Sequence, residues 1–282
     1  MFLPIHNLIL GAFPLLLPSP RPSLTHHAAL ATPLANQGVA VNHFNLGSRA
    51  VQPIANATPL RIMPLGASIT YGQASTDGNG YRNELRNQLV AAGNTLVNFV
   101  GSRKAGIMRD NDVEGWPGAR IDEVHSRAVA AVSVPKYKPN VFLVNAGTND
   151  ALQNKDVRTA ALRMEAMLKD CWTLSPRAVV ILSTLLLNKD PVVERRVLDI
   201  NDQFRRLVKS LRDEGRRIVL VDMHSDQGPM EGVDFADQTH PNDRGYKKMA
   251  NIWFAGLVAA GDEGWIQTPE AVAGLPDDGL RS

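Results

Sequence analysis

Four short stretches of this chain carry residues whose types and spacing suit acyl transfer. Ser68 follows the apolar run Arg61-Ile-Met-Pro-Leu-Gly66 after one small residue, Ala67. A hydroxyl on a polar turn behind a buried strand is how α/β enzymes present a nucleophile. Gly118 ends Asp112-Val-Glu-Gly-Trp-Pro-Gly118, and Asn149 ends Asn145-Ala-Gly-Thr-Asn149. Asp237 and His240 lie together in Asp234-Phe-Ala-Asp237-Gln-Thr-His240. A serine hydroxyl is a poor nucleophile until a base removes its proton. Histidine suits that task, and a carboxylate can hold its ring in the right tautomer. The oxyanion of the tetrahedral intermediate then needs two or three donors. The backbone N–H groups of Ser68 and Gly118 and the side-chain amide of Asn149 could supply them.

Asp-x-x-His occurs twice, so the base has to be chosen. Asp122-Glu-Val-His125 falls inside a segment of helical pattern, where residues three apart meet on one surface as a solvated pair. Asp237-Gln-Thr-His240 is followed by Pro241 and Asn242, which puts it on a turn. An imidazole that must reach a serine at a strand end belongs on such a loop, which favours His240. His224, directly behind an apolar run, reads as a neighbouring or surface histidine.

The elements that must position these residues are visible as alternating patterns. Candidate strands are Arg61–Leu65, Leu96–Val100, Val141–Asn145, Val179–Leu182 and Ile218–Asp222. Between them, Val157, Ala160, Ala161, Met164, Met167, Leu168 and Cys171 recur at helical spacing, as do Val197, Ile200, Phe204, Leu207, Val208 and Leu211. Tyr81–Val90, Ile121–Val134 and Gly245–Val258 are further helices, and the Gly- and Asp-rich stretch after the second strand reads as a long loop. Continuous apolar strands alternating with helices imply a mostly parallel sheet covered on both faces. In such a sheet the ligand crevice lies outside the carboxyl ends of the strands, where all four stretches fall. Asp150 and Asp243 read as helix caps there. Trp116 and Tyr71 flank the same region and could stack on a sugar ring.

Composition narrows the class. The chain has 282 residues, 44% hydrophobic and 21% charged, with a net charge of +2. That is ordinary globular composition without a Lys/Arg run, so a nucleic-acid partner is not expected. The single Cys171 rules out an intrachain disulfide framework and any cysteine-based zinc site. Neither G-x-S-x-G, H-E-x-x-H nor the Walker pattern is present.

The N-terminus differs. Leu8–Leu17 is apolar but too short to span a bilayer as a helix, and Ala29-Leu-Ala31 offers a small-x-small cleavage site. Residues 1–31 are therefore expected to be a secretory signal peptide, 32–58 a linker, 59–265 the catalytic domain and 266–282 a tail. The expected location is extracellular, without stable membrane insertion. Asn56-Ala-Thr58, a glycosylation sequon, is compatible with that.

Gly66-Ala-Ser68, Gly118 after Glu-Gly-Trp-Pro, Gly147-Thr-Asn149-Asp150 and Asp237-x-x-His240 resemble the four blocks of the SGNH (GDSL-like) hydrolases, in family order. The fuller stretches Glu-Gly-Trp-Pro-Gly-Ala-Arg-Ile-Asp and Asp-x-x-His-Pro-Asn-Asp-x-Gly-Tyr-x-Lys-Met-Ala are similar to the branch containing microbial acetylxylan esterases. The resemblance implies a flavodoxin-like three-layer α/β/α sandwich with a five-stranded parallel sheet. It also implies a serine esterase without metal or organic cofactor, acting on short acyl, mainly acetyl, esters of plant carbohydrate; the chain is expected to be a monomer. In it Ser68 would be the nucleophile, His240 the base and Asp237 its orienting carboxylate, with Ser68, Gly118 and Asn149 as the oxyanion hole. The family's usual aspartate before the serine is Ala67 here, which bears on rate. A lipid esterase or lysophospholipase with the same machinery, and a catalytically silent glycan-binding relative, are the alternatives.

Overall fold

The structure is a computed structural model that describes residues 52–275, apart from Ala131, Val132 and Glu231. The expected signal peptide, the cleavage site and most of the linker lie outside the described residues.

Strand β1, Leu60–Gly66, is the centre of the sheet. On one side it pairs in parallel with β5, Val141–Asn145, from Ile62↔Val141 to Gly66↔Asn145. β5 pairs with β6, Val179–Ser183, and β6 with β7, Ile218–Val221, all parallel. On its other side β1 meets two strands in succession. β2, Val97–Phe99, takes its first half through Leu60↔Val97 to Ile62↔Phe99. β4, Asp112–Gly115, takes its end through Leu65↔Glu114 and Gly66↔Gly115. Pro64 falls in the gap between them, where a residue without an N–H costs no ladder bond on that side.

The expected five parallel strands are all present, but among the described residues the sheet has seven. The two additional ones are β4 and β3, Arg103–Lys104, which pairs with β4 antiparallel. Both lie in the stretch read as loop. β4 lacks an apolar run because its second inward position is Glu114, fully buried and satisfied by polar partners rather than by packing.

Successive strand residues face opposite layers. Met63, Leu65, Phe142, Val144, Val180 and Leu182 pack in one core with α3 (Ile121–Val124), α6 (Ala160–Leu174) and α7 (Pro191–Asp213). Ile62, Val141, Leu143, Val179, Ile181 and Val219 pack in the other with α2 (Arg82–Ala91) and α8 (Asp243–Asp262). The result is the expected three-layer sandwich. Helix α7 starts on Asp190, whose carboxylate accepts the Val192 and Val193 N–H groups, with Pro191 at the first helical position. The single helix expected over 121–134 is instead α3, a π-helical segment His125–Ala130, and α4 (Ser133–Tyr137). Pro135, within α4, has no N–H for a continuous α ladder. Cys171 is fully buried, and its thiol pKa is pushed up by that burial. Among the described residues no helix is long and apolar enough to cross a membrane.

The ends of the domain are tied to it. Ile54 exchanges two backbone hydrogen bonds with the Asn94 side chain, at 2.8 and 2.9 Å. The Gln267 and Glu270 carbonyls accept from Asn140 and Arg61 at 2.6 and 2.8 Å.

Candidate active site

The carboxyl ends of β1, β4 and β5 lie level, because Gly66 is in register with both Gly115 and Asn145. At Gly66 the chain turns sharply. A Cβ there would lie 2.1 Å from the Asn145 carbonyl oxygen and 2.3 Å from Thr70 Oγ1, so only glycine fits. Ala67 follows, 5% exposed, and Ser68 opens the one-turn helix α1 (Ser68–Tyr71). Gly72 ends that turn with φ +95°, its N–H donating back to the Ser68 carbonyl at 3.1 Å.

The loop 234–242 approaches from the amino end of α8. Its base is Asp234, fully buried, whose carboxylate takes Lys248 at 2.7 Å, Arg244 at 3.0 Å and the Met230 N–H at 2.8 Å. Burial alone would raise the Asp234 pKa, but these donors and cations hold it below the usual carboxylate value. Asn242 caps α8 by accepting the Gly245 N–H. Asp243 is therefore not the cap. Its carboxylate instead accepts the Thr76 N–H and hydroxyl, each at 2.8 Å, and ties α8 to the loop behind Ser68.

At the tip of this loop, His240 Nε2 lies 2.9 Å from Ser68 Oγ. His240 Nδ1 lies 2.7 Å from Asp237 Oδ2. Asp237 Oδ1 accepts the Thr239 and His240 N–H groups, each at 2.7 Å. Partial burial works to raise the Asp237 pKa, and the backbone donors and His240 outweigh it, leaving the carboxyl below its usual range. An ionised Asp237 accepts a hydrogen bond from Nδ1–H, which leaves Nε2 unprotonated and able to take the Ser68 hydroxyl proton. The array can thus draw a proton from the serine.

Asn149 lies in α5 (Thr148–Gln153), which follows β5, and is 8% exposed. Its amide donates to the Ala119 carbonyl at 2.9 Å and so holds the start of α5 against the loop after β4. Gly118 has φ +80° and open space where a Cβ would stand, so backbone conformation rather than crowding calls for glycine. Asp150 does not cap α5. It is fully buried in an ion pair with Arg163, and accepts the Ile121 N–H at 3.1 Å, which fixes α3. Burial dominates its pKa, which is raised in spite of Arg163.

Among the described residues the other two histidines pair elsewhere. His125 pairs with Asp170 across to α6 at 2.8 Å, while Asp122 pairs with Arg120 and Arg163, so the expected Asp122–His125 pair does not form. His224 pairs with Glu194 at 2.7 Å. Glu194 accepts the Asn188 N–H at 2.8 Å, and Asn188 donates to Thr239 Oγ1 at 3.0 Å. This chain ends on the loop that carries Asp237 and His240. Asn188, in the connection from β6 to α7, was not legible as a site neighbour, since no motif marks it.

Tyr71 and Trp116 flank the serine turn, and an unforeseen residue joins them. Arg103 stands 4.9 Å from the Tyr71 ring centroid and 4.6 Å from that of Trp116. Arg127 lies 5.3 Å from the Trp116 centroid. Among the described residues no group of three or more His, Cys, Asp or Glu side chains could hold a metal ion.

A parallel sheet covered on both faces, with serine, histidine and aspartate hydrogen-bonded in series at its carboxyl edge, defines an α/β/α hydrolase architecture. More particularly, the chain belongs to the GDSL-like Lipase/Acylhydrolase family, a family of carboxylic ester hydrolases, whose model matches residues 65–248. It is similar to a multidomain esterase of Ruminococcus flavefaciens, 28% identical over 240 residues. That match covers 76% of this chain, which spans 30% of the relative's length. A family 3 carbohydrate esterase of Clostridium thermocellum has the same fold, with a TM-score of 0.64 at 24% identity over 73% of this chain and 98% of that one. So does a carbohydrate esterase family 3 protein of Talaromyces cellulolyticus, with a TM-score of 0.62 at 22% identity over 72% and 99%.

Proposed function

We propose that this chain is a secreted serine esterase that removes short acyl groups, principally acetyl, from plant cell-wall carbohydrate such as acetylxylan. The observation that carries the mechanism is the Ser68–His240–Asp237 series at 2.9 and 2.7 Å. His240 Nε2 takes the Ser68 proton as Oγ attacks the ester carbonyl carbon. Asp237, ionised, stabilises the imidazolium that results. The carbonyl oxygen becomes an oxyanion bound by the Ser68 and Gly118 N–H groups and by the Asn149 amide. The imidazolium then protonates the departing alcohol, and the acyl group stays on Ser68. His240 takes a proton from water as its oxygen attacks the acyl-enzyme, and the imidazolium returns that proton to Ser68 Oγ as the acyl C–O bond breaks, releasing the carboxylic acid and the free serine.

The curated relative is an esterase, which supports ester hydrolysis, and the carbohydrate reading is supported by the folds cited, which are those of family 3 carbohydrate esterases. Ala67 leaves the nucleophile, base, orienter and proposed oxyanion donors in place, so turnover is expected without the family's usual aspartate. Comparing kcat/KM on acetylated xylan, simple sugar acetates and longer acyl esters tests the assignment. Highest values for the acetylated carbohydrate are expected, and a preference for long acyl chains would replace it with a lipid substrate.

A further inference from the structure

We propose that Arg103 and Arg127 form a subsite for a carboxylate carried by the carbohydrate near the ester, so that the preferred substrates are acidic rather than neutral acetylated glycans. The proposal rests on the reading of Ser68 as nucleophile and adds a substrate class to it.

Its basis is a pair of cations beside the serine turn with no salt-bridge partner among the described residues. Among the described residues neither Arg103 nor Arg127 forms an ion pair, although cations close by do: Lys104 with Asp112 at 3.2 Å and Arg120 with Glu123 at 3.3 Å. The carboxylate nearest to Trp116 is already engaged. Glu114 is fully buried and accepts the Ser102 N–H at 2.8 Å, the Ser102 hydroxyl at 3.0 Å and Trp116 Nε1–H at 2.7 Å.

The two guanidinium groups lie within cation–π distance of aromatic rings instead. Arg103 stands over the Tyr71 and Trp116 rings, and Arg127 over Trp116. Stacking fixes the plane of a guanidinium and leaves its N–H edges for an acceptor. A carboxylate matches that edge, bonding through two parallel N–H···O contacts. The position is next to the reaction site. Tyr71 is one helical turn from Ser68 and shares its face. The Trp116 N–H donates to the Gly66 carbonyl at 2.9 Å, and Trp116 precedes Gly118 by two residues. Arginines over these rings also compete with a sugar for the aromatic faces, so recognition there runs through charge.

The test compares acetylated xylo-oligosaccharides bearing a uronic acid branch with the same compounds after reduction of the carboxyl group to the alcohol. At low salt the acidic form should have about five- to tenfold higher kcat/KM, the range expected of one partly exposed charge-assisted contact. The ratio should shrink toward one at roughly 0.5 M salt, where screening is strong. Arg103→Gln and Arg127→Gln should each lower the ratio, and Arg103→Lys should retain part of it. Should Arg103→Gln not fold, the exposed Arg127→Gln decides the matter. Equal kcat/KM for the two substrates, or a preference that both Gln variants retain, would overturn the subsite. Wild-type hydrolysis of 4-nitrophenyl acetate separates the two levels. If it is robust while the acidic preference is absent, only the subsite fails; if it is absent as well, the esterase reading fails too.

Discussion

The Asn149 side chain donates to the Ala119 carbonyl at 2.9 Å, and this bond joins α5 to the loop after β4, which the sequence separates by several helical segments and strand β5. One of its two amide protons is used there. The other is free to serve the oxyanion in the proposed mechanism. Asn149→Ala should therefore lower kcat by about 10²–10³-fold with a smaller change in KM, the usual effect of losing one oxyanion donor. Steady-state kinetics on 4-nitrophenyl acetate measure this, and an unchanged kcat would remove Asn149 from the hole.

Asn188 acts on the base loop from behind. Its amide holds Thr239 Oγ1 at 3.0 Å, and the Thr239 N–H in turn donates to Asp237. Asn188→Ala should reduce kcat about five- to tenfold, in line with one partly buried hydrogen bond of about 1–1.5 kcal/mol, and leave KM nearly constant. His125→Ala, whose ring pairs with Asp170 instead, should leave turnover near the wild-type rate. A larger loss in His125→Ala than in Asn188→Ala would contradict this arrangement.

Gly66 is the tightest point of the serine turn. Gly66→Ala would set a methyl group 2.1 Å from the Asn145 carbonyl oxygen, which is backbone and cannot swing aside. A loss of about 3 kcal/mol or more is expected, at or beyond the upper end of overpacking costs. Urea denaturation reads it, and wild-type stability would mean that the strand ends are looser than the register implies.

How much of this was legible beforehand follows from where each interaction lies. The five parallel strands and the α6 and α7 helices declare themselves because their side chains are apolar in a local period. Ser68, Asp237 and His240 announce themselves as strand-end residues in short motifs, and the fold brings them into one hydrogen-bonded series. Strands β3 and β4 were hidden because Glu114 occupies a core position and is satisfied by Ser102 and Trp116. Asp150 and Asp243 looked like caps because local spacing cannot show that their partners are Arg163 and Thr76, on other elements. Arg103 carries no motif at all; only the pairing of β3 with β4 places it over Trp116.

The loop bearing Asp237 and His240 should loosen in acid. The Asp234 carboxyl pKa is depressed in the folded state, so it contributes stability that is fully present above the unfolded value of about 3.9 and is lost as pH falls through the lower, folded value. The wild-type Tm should therefore drop steeply below about pH 4, and Asp234→Asn should flatten that dependence while lowering Tm at neutral pH. Parallel Tm–pH curves for the two proteins would exclude Asp234 as the anchor.

The central claim is that the Ser68 hydroxyl, activated by His240, attacks the ester. The most direct measurement is the rate of 4-nitrophenyl acetate hydrolysis by folded Ser68→Ala protein relative to the wild type. The mechanism predicts a loss of at least about 10³-fold, since removing the nucleophile leaves only binding and oxyanion stabilisation. A rate within a few-fold of the wild type would contradict it.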